Sequence, residues 1–144
     1  VFQTPLHGNG NKEKIVHYLG REKMAIIDSN ILIYAIQPQY QNLRELLFSE
    51  PHCISEITRL EVLGYHKLSK EDQSDLELLI RILEVFPIDK IVINQAIDLR
   101  QNRNIGLADA VIASTALVCN LPLITRNIKD FAGINDLILH NPLS

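Results

Sequence analysis

The amino-acid sequence predicts a single α/β domain with a mostly parallel central sheet flanked by helices on both faces. From residue 25 onward, short apolar runs alternate with longer amphipathic segments, which is the pattern of buried parallel strands joined by helices. The chain has 144 residues, of which 47% are hydrophobic and 22% charged. This length and composition are those of an ordinary globular domain with one sizeable core.

The first half of the domain contains two predicted strands. Residues 25–28 are predicted to form a strand, and a helix follows to about residue 36, with Ser29 as its N-cap and Pro38 stopping it. A second helix is predicted over residues 42–48 and a brief strand over 52–54. Ser55 is a good N-cap for a helix that runs to about residue 66.

The second half continues the alternation. Ser69 is predicted to cap a helix that runs to about residue 84, because Asp72 three positions later gives a capping-box spacing. A strand is predicted over 85–88, and Asp89 opens a helix to about residue 103. The remaining predicted elements are a helix over 107–119 and strands over 121–125 and 137–139.

Residues 1–23 differ from the rest of the chain. They are polar, contain three glycines and show little periodicity. They are interpreted as an N-terminal extension or an added leader, with the natural start at Met24 and the folded domain over 24–144. A short native arm is the alternative.

Charge, cysteine and hydropathy patterns exclude several classes of protein. The formal net charge is −3, so a nucleic-acid substrate would require locally clustered basic residues. Cys53 and Cys119 have no CxxC spacing, so neither a zinc site nor a disulfide framework is indicated. Both are expected to be buried thiols in a reducing cytoplasm. No apolar run is long enough to span a membrane.

Acidic residues stand at the ends of predicted core elements. Asp28 follows the first apolar run directly, where it can end the strand, cap the next helix or act as a ligand at the carboxyl edge of a sheet. Glu61 falls in the apolar stripe of its helix, formed by Ile57, Leu60, Gly64 and Tyr65. A buried glutamate must be paired, protonated or metal-bound. Alternatively, the helix is rotated so that Glu61 is solvated, or Glu61 pairs with Arg59 or Lys67.

Two later segments carry further acids. Asp109 lies in the first turn of a helix whose alanines suit close packing on a strand, although a carboxylate there also suits the helix dipole. After the strand that ends at Thr125, Asn127 and Asp130 can either brace the turn or reach a metal. Clustered carboxylates repel each other unless a cation neutralises them. Oxygen ligands without His or Cys indicate a hard ion, Mg²⁺ or Mn²⁺.

Four segments together resemble the PIN-domain ribonucleases, and most closely the VapC-type toxins of toxin–antitoxin pairs. They are IDSN at 27–30, ISEITRLE at 54–61, LADAVIA at 107–113 and ITRNIKDF at 124–131. The resemblance covers residues 24–144 and implies a PIN-like fold with an acidic pocket that binds Mg²⁺ or Mn²⁺. Asp28, Glu61 and Asp109 match the first three acids of the family. Either Asn127 or Asp130 would complete the site.

The resemblance also implies a reaction and partners. The reaction is metal-dependent hydrolysis of RNA, with Asp28 and Asp109 as principal metal ligands and Glu61 as a ligand or orienter of the attacking water. Ser29 and Asn30 match pocket-lining positions, and Thr125 would brace the pocket. Further implied partners are a cognate antitoxin and a second copy of the chain. The candidates for RNA phosphate contacts are Arg100, Arg103, Arg126 and Lys129.

Two other functions remain open at the level of sequence. Because Asn127 stands where some family members carry Asp, the domain could be a catalytically weak or inactive PIN module that binds RNA or protein. A phospho-acceptor domain is the other alternative. It is disfavoured because the first strand lacks adjacent acids and the late strand ends in Thr125-Arg126 instead of a lysine.

Overall fold

The structure is a computed structural model that describes residues 24–143. Its centre is a five-stranded sheet with the order β3-β2-β1-β4-β5, in which every pair of neighbouring strands is parallel. The strands are β1 (Ile26–Ile27), β2 (Cys53–Ser55), β3 (Glu84–Phe86), β4 (Leu123–Ile124) and β5 (Leu139–His140). The predicted α/β class with a parallel sheet is therefore confirmed.

Helices connect these strands. They are α1 (Ser29–Ala35), α2 (Gln41–Ser49), α3 (Glu56–Leu63), α4 (Lys70–Arg81), α5 (Lys90–Asn102), α6 (Leu107–Cys119) and α7 (Ile128–Phe131), with a 3₁₀ turn at Pro38–Tyr40. Predicted caps at Ser55, Ser69 and Asp89 are confirmed, since each side chain accepts a hydrogen bond from the first turn of its helix.

The sheet has an apolar core on each face, because consecutive strand residues point to opposite sides. Ile26, Cys53 and Leu123 belong to the core shared with α5 and α6. Ile27 and Ile54, the next residues along β1 and β2, belong to the core shared with α1 to α4. These strand residues are fully buried, which explains why they appear in the sequence as short apolar runs and not as alternating patterns.

Several predicted boundaries were wrong. Asp28, not Ser29, is the N-cap of α1, and it accepts a hydrogen bond from the backbone of Ser29. Helix α3 ends at Leu63 instead of about residue 66, because Gly64 closes it by donating its N–H to the carbonyl of Leu60. Helix α4 ends at Arg81 instead of about residue 84, and Glu84 is the first residue of β3.

Two short elements were not predicted, namely the 3₁₀ turn and α7. The expectation for the N-terminal extension concerns residues 1–23, which lie outside the described residues. Within residues 24–143, no helix combines the length and the apolar character that a membrane span requires.

Candidate active site at the carboxyl edge of the sheet

Asp28 lies at the point where the strand order reverses. Strand β1 is followed by β2 on one side of it, and β4 lies on its other side. Ligands of open α/β sheets bind at such a switch point, beyond the carboxyl ends of the strands. The backbone N–H of Asp28 donates to the carbonyl of Ile124 at 2.9 Å, so the end of β4 fixes the position of Asp28.

Two hydrogen bonds hold the Asp28 carboxylate, one at each oxygen. The backbone N–H of Ser29 donates to Oδ1 at 2.8 Å, and the Thr125 hydroxyl donates to Oδ2 at 2.6 Å. Thr125 Oγ1 in turn accepts the backbone N–H of Asn127 at 3.0 Å. The expected bracing role of Thr125 has a direct geometric basis in these contacts.

Ser29 connects Asp28 to Glu61. The Ser29 Oγ lies 2.6 Å from Glu61 Oε1 and 3.0 Å from Thr58 Oγ1. Ser29 therefore contacts both acids, through its backbone N–H and its hydroxyl. Thr58 was not identified from the sequence. The available signal was a threonine three positions before Glu61, on the same side of a helix.

The orientation predicted for α3 was wrong. Leu60 is 67% exposed and Tyr65 is 54% exposed, so these two residues of the predicted stripe do not face the core, whereas Ile57 is partly buried against it. Thr58 and Val62 are buried instead. Glu61 is consequently exposed, as in the alternative in which the helix is rotated. Arg59 does not neutralise Glu61, because it forms an ion pair with Glu56.

The acids influence one another electrostatically. Burial raises the pKa of the Asp28 carboxyl from 3.8 to about 6, the Thr125 hydrogen bond opposes this rise, and the negative charges of Asp109 and Glu61 add to it. Burial also raises the pKa of Asp109, with further contributions from Asp130 and then Glu61. Asp28, Glu61, Asp109 and Asp130 are thus close enough for their charges to interact.

The two candidates for the fourth site residue have different surroundings. Asp130 is exposed at the surface of α7, and its charge acts on Asp109 more strongly than that of Glu61 does. Asn127 is also exposed and precedes α7 as its N-cap residue, and its backbone contacts Thr125. The predicted pocket residue Asn30 has a buried Oδ1 with no hydrogen-bond donor among the described residues.

The four basic candidates lie in different surroundings. Arg126 directly follows Thr125, and its guanidinium carbon lies 4.5 Å from the centre of the Tyr34 ring, within the range of a cation–π contact. Lys129 is exposed on α7. Arg100 lines a groove of about 400 Å³ on α5 and the start of α6, with Ile93, Ile97 and Leu107. Arg103 is half-buried near Gly133.

The donor set suits a hard divalent cation, although within residues 24–143 no group of three or more His, Cys, Asp or Glu side chains already has a metal-holding arrangement. Mg²⁺ usually keeps several waters and takes only one or two carboxylates from the protein. Asp28 and Asp109 offer such carboxylates, and the unpaired Asn30 oxygen is one more acceptor. The residues therefore fit an ion held partly by water.

Comparisons with known proteins identify the family of this chain. The PIN domain family model matches residues 25–137. The chain is 32% identical over 128 residues to Ribonuclease VapC2 of Rickettsia felis, an alignment that covers 81% of this chain and 96% of the relative.

Solved structures give the same assignment. One match is a chain of the crystal structure of VapBC2 from Rickettsia felis bound to a promoter DNA fragment, with a TM-score of 0.69, 31% identity and coverage of 82% of this chain and 98% of that chain. Another is a toxin–antitoxin complex from Klebsiella pneumoniae, with a TM-score of 0.67, 30% identity and coverage of 82% and 97%. The chain therefore belongs to the PIN-domain family, and it is similar to VapC-type ribonucleases over nearly all of their length.

Proposed function

We propose that this protein is a divalent-metal-dependent endoribonuclease that acts as the toxin of a toxin–antitoxin pair. The observation that carries the proposal is the Asp28 carboxylate, which is 4% exposed, is held at both oxygens and has Asp109 and Glu61 close enough to raise its pKa. The similarity to Ribonuclease VapC2 of Rickettsia felis supports RNA as the substrate.

In this proposal, Asp28 and Asp109 hold Mg²⁺ or Mn²⁺. When bound, the ion would polarise the scissile phosphate and lower the pKa of a bound water. The protein groups around it have separate tasks. Ser29 and Thr125 fix the rotamer of Asp28. Glu61 is exposed and is held by Ser29 at one oxygen, so it can orient an attacking water on the solvent side of Asp28.

RNA phosphates would be contacted by basic side chains around this edge. Arg126 is the best supported, because it directly follows Thr125 and its position is restrained by Tyr34. Lys129 follows on α7, whereas Arg100 and Arg103 lie earlier in the chain, in the last turn of α5 and directly after it. The net charge of −3 makes such local contacts necessary, because the domain as a whole does not attract a polyanion.

Two protein partners belong to the same proposal. The solved relatives include a toxin–antitoxin complex, which supports a cognate antitoxin for this chain. A homodimer is supported by the exposed apolar side chains Ile93, Ile97 and Leu107 around the α5 groove, since exposed apolar patches mark interaction surfaces. An RNA substrate and the two buried cysteine thiols, Cys53 and Cys119, fit a cytoplasmic protein.

Cleavage of RNA with and without divalent ions tests the function. The purified protein should cut single-stranded RNA in Mn²⁺ or Mg²⁺, and EDTA should stop the reaction. DNA of the same sequence serves as a control for substrate class. The alternative, an inactive PIN module, has the absence of a ready three-ligand group in residues 24–143 in its favour. RNA binding without cleavage in Mn²⁺ would establish that alternative.

Replacement of Asp130 tests whether this residue is a metal ligand or only braces the turn. Because the charge of Asp130 raises the pKa of Asp109 more than any other charge does, we expect Asp130→Asn to require a higher Mn²⁺ concentration for half-maximal cleavage. The increase should be roughly 10- to 100-fold, as for other groups supporting a metal site. The rate at saturating Mn²⁺ should change much less. The measurement is a Mn²⁺ titration of cleavage, with Asp136→Asn as a control.

Superimposable titration curves for wild type and Asp130→Asn would remove Asp130 from the site. Asn127→Asp distinguishes the other candidate. If Asn127 occupies the fourth site, the added carboxylate should tighten Mn²⁺ binding, whereas an Asn127 outside the site should leave the titration unchanged.

A further inference from the structure

Ser29, Thr58 and Glu61 form a row of three hydrogen-bonded side chains beside Asp28. Thr58 and Glu61 lie one turn apart on α3, and Ser29 is the first residue of α1. The Ser29 Oγ is within hydrogen-bond distance of both partners, at 3.0 Å from Thr58 Oγ1 and 2.6 Å from Glu61 Oε1. The row therefore joins two helices at the edge of the proposed site.

The number of protons determines the direction of these bonds. A serine hydroxyl carries one proton, and an ionised carboxylate can only accept. The shorter contact, with Glu61, is the bond that Ser29 donates, because bonds to charged acceptors are shorter and stronger. Thr58 must then donate its own proton to Ser29 Oγ. Because Ser29 Oγ accepts the Thr58 proton, its own proton points toward Glu61 Oε1.

Two other buried hydroxyls, both on α6, have backbone carbonyls as partners. The Ser114 hydroxyl donates to the carbonyl of Val92 at 2.5 Å, and the Thr115 hydroxyl donates to the carbonyl of Val111 at 2.7 Å. Both bonds only give a buried hydroxyl a backbone partner within the core. Thr58 is equally buried, at 0% exposure, but its hydroxyl contacts the hydroxyl of Ser29. Ser29 in turn contacts Glu61 through that hydroxyl and Asp28 through its backbone N–H.

We propose that Thr58 is a positioning residue for RNA cleavage, in which its hydroxyl directs the Ser29 hydroxyl toward Glu61 and so holds the Glu61 carboxylate next to Asp28. This inference rests on the proposed ribonuclease function. Glu61 is exposed, so without this bond its flexible side chain can adopt other rotamers in water. The row from Thr58 is what limits that freedom.

The test compares Thr58→Val, Thr58→Ser and Ser29→Ala in steady-state cleavage of one RNA in saturating Mn²⁺. Thr58→Val should lower kcat by about three- to tenfold, the value of one hydrogen bond expressed as a rate, and should leave KM unchanged. Thr58→Ser should restore kcat, because it restores the hydroxyl. Thr115→Val is the matched control: it also removes a buried helical hydroxyl, and its kcat should equal that of wild type.

Double variants separate positioning from simple packing. In Ser29→Ala, the Thr58 hydroxyl has nothing to direct, so adding Thr58→Val should not lower kcat further. The same pair should also be non-additive in urea unfolding of the metal-free protein, a readout independent of activity. If Thr58→Val does not fold, Thr58→Ala takes its place in both measurements.

Each alternative outcome has a definite meaning. If wild type cuts RNA and Thr58→Val has the same kcat as Thr115→Val, the positioning role is wrong while the proposed function stands. Independent, additive effects of the two changes on kcat or on unfolding would also overturn it. If wild type does not cut RNA in Mn²⁺, the proposed function fails, and the inference fails with it.

Discussion

Asp28→Asn should lower the rate of RNA cleavage by more than the roughly 10- to 100-fold that the loss of a supporting group costs at metal sites. Asp109→Asn should have a similar effect. Both changes remove a carboxylate, proposed above as a metal ligand, from the place where the acids interact. The measurement is the cleavage rate of one RNA in Mg²⁺ and in Mn²⁺.

The fold should survive these changes. In wild type the Ser29 backbone N–H donates to Asp28 Oδ1 at 2.8 Å. In Asp28→Asn the amide oxygen can still accept this bond, and the amide nitrogen can donate to Thr125 Oγ1. Melting temperature without metal should therefore hold or rise. Asp98→Asn, an exposed position on α5, is the control. Wild-type cleavage rates in either site variant would contradict the assignment.

The second large effect is expected in the metal-free protein, whose free energy of unfolding should depend on pH through Asp28. The folded-state pKa of Asp28 is about 6, against 3.8 for the unfolded chain. Between these values the folded state binds more protons than the unfolded state, so its stability falls as the pH rises. The contribution is complete below pH 3.8 and is lost as the pH rises through 6. Its limiting size is about 3 kcal/mol.

Asp28→Asn isolates this effect, because asparagine does not titrate. The variant should gain stability over wild type as the pH is raised from 4 to 8, to a difference of roughly 1–3 kcal/mol. Burial lowers the pKa of His52, so His52 makes stability rise with pH, opposite to Asp28. Because wild type and variant both contain His52, its contribution cancels in their difference. The measurement is urea unfolding in EDTA at several pH values, and parallel pH curves would contradict the account.

The fold class was predictable because the sheet is buried on both faces. Ile26 and Ile27 are both fully buried, so the strand appears in the sequence as an apolar run with an acid directly after it. That same adjacency placed Asp28 correctly at the carboxyl edge. The position of Asp109 at the start of a helix packed on the sheet was predictable for a similar reason, because the alanines after it are buried.

The side of α3 that faces the core was not predictable from hydrophobic periodicity. Thr58 occupies the buried side, because its hydroxyl is satisfied by Ser29 from another helix, a contact that no local pattern contains. Leu60 and Tyr65 remain exposed. Helix α7 has four residues, fewer than helical periodicity needs for detection.

The central claim is that Glu61 belongs to a catalytic site and is not an ordinary surface residue. Substitution of an exposed glutamate normally changes stability by less than about 0.5 kcal/mol, and the same is expected for Glu61→Gln. Glu77→Gln is a matched control, because Glu77 is also exposed on a helix and accepts one side-chain hydrogen bond, from Gln73 at 2.9 Å.

The most direct measurement is the single-turnover rate of RNA cleavage in saturating Mn²⁺ for wild type, Glu61→Gln and Glu77→Gln, with the melting temperature of each. We expect Glu61→Gln to retain its melting temperature and to cleave RNA at least about a hundredfold more slowly, as for loss of a group that orients or deprotonates the attacking water. Glu77→Gln should match wild type in both. Equal cleavage rates for all three proteins would contradict the assignment of this acidic edge as the active site.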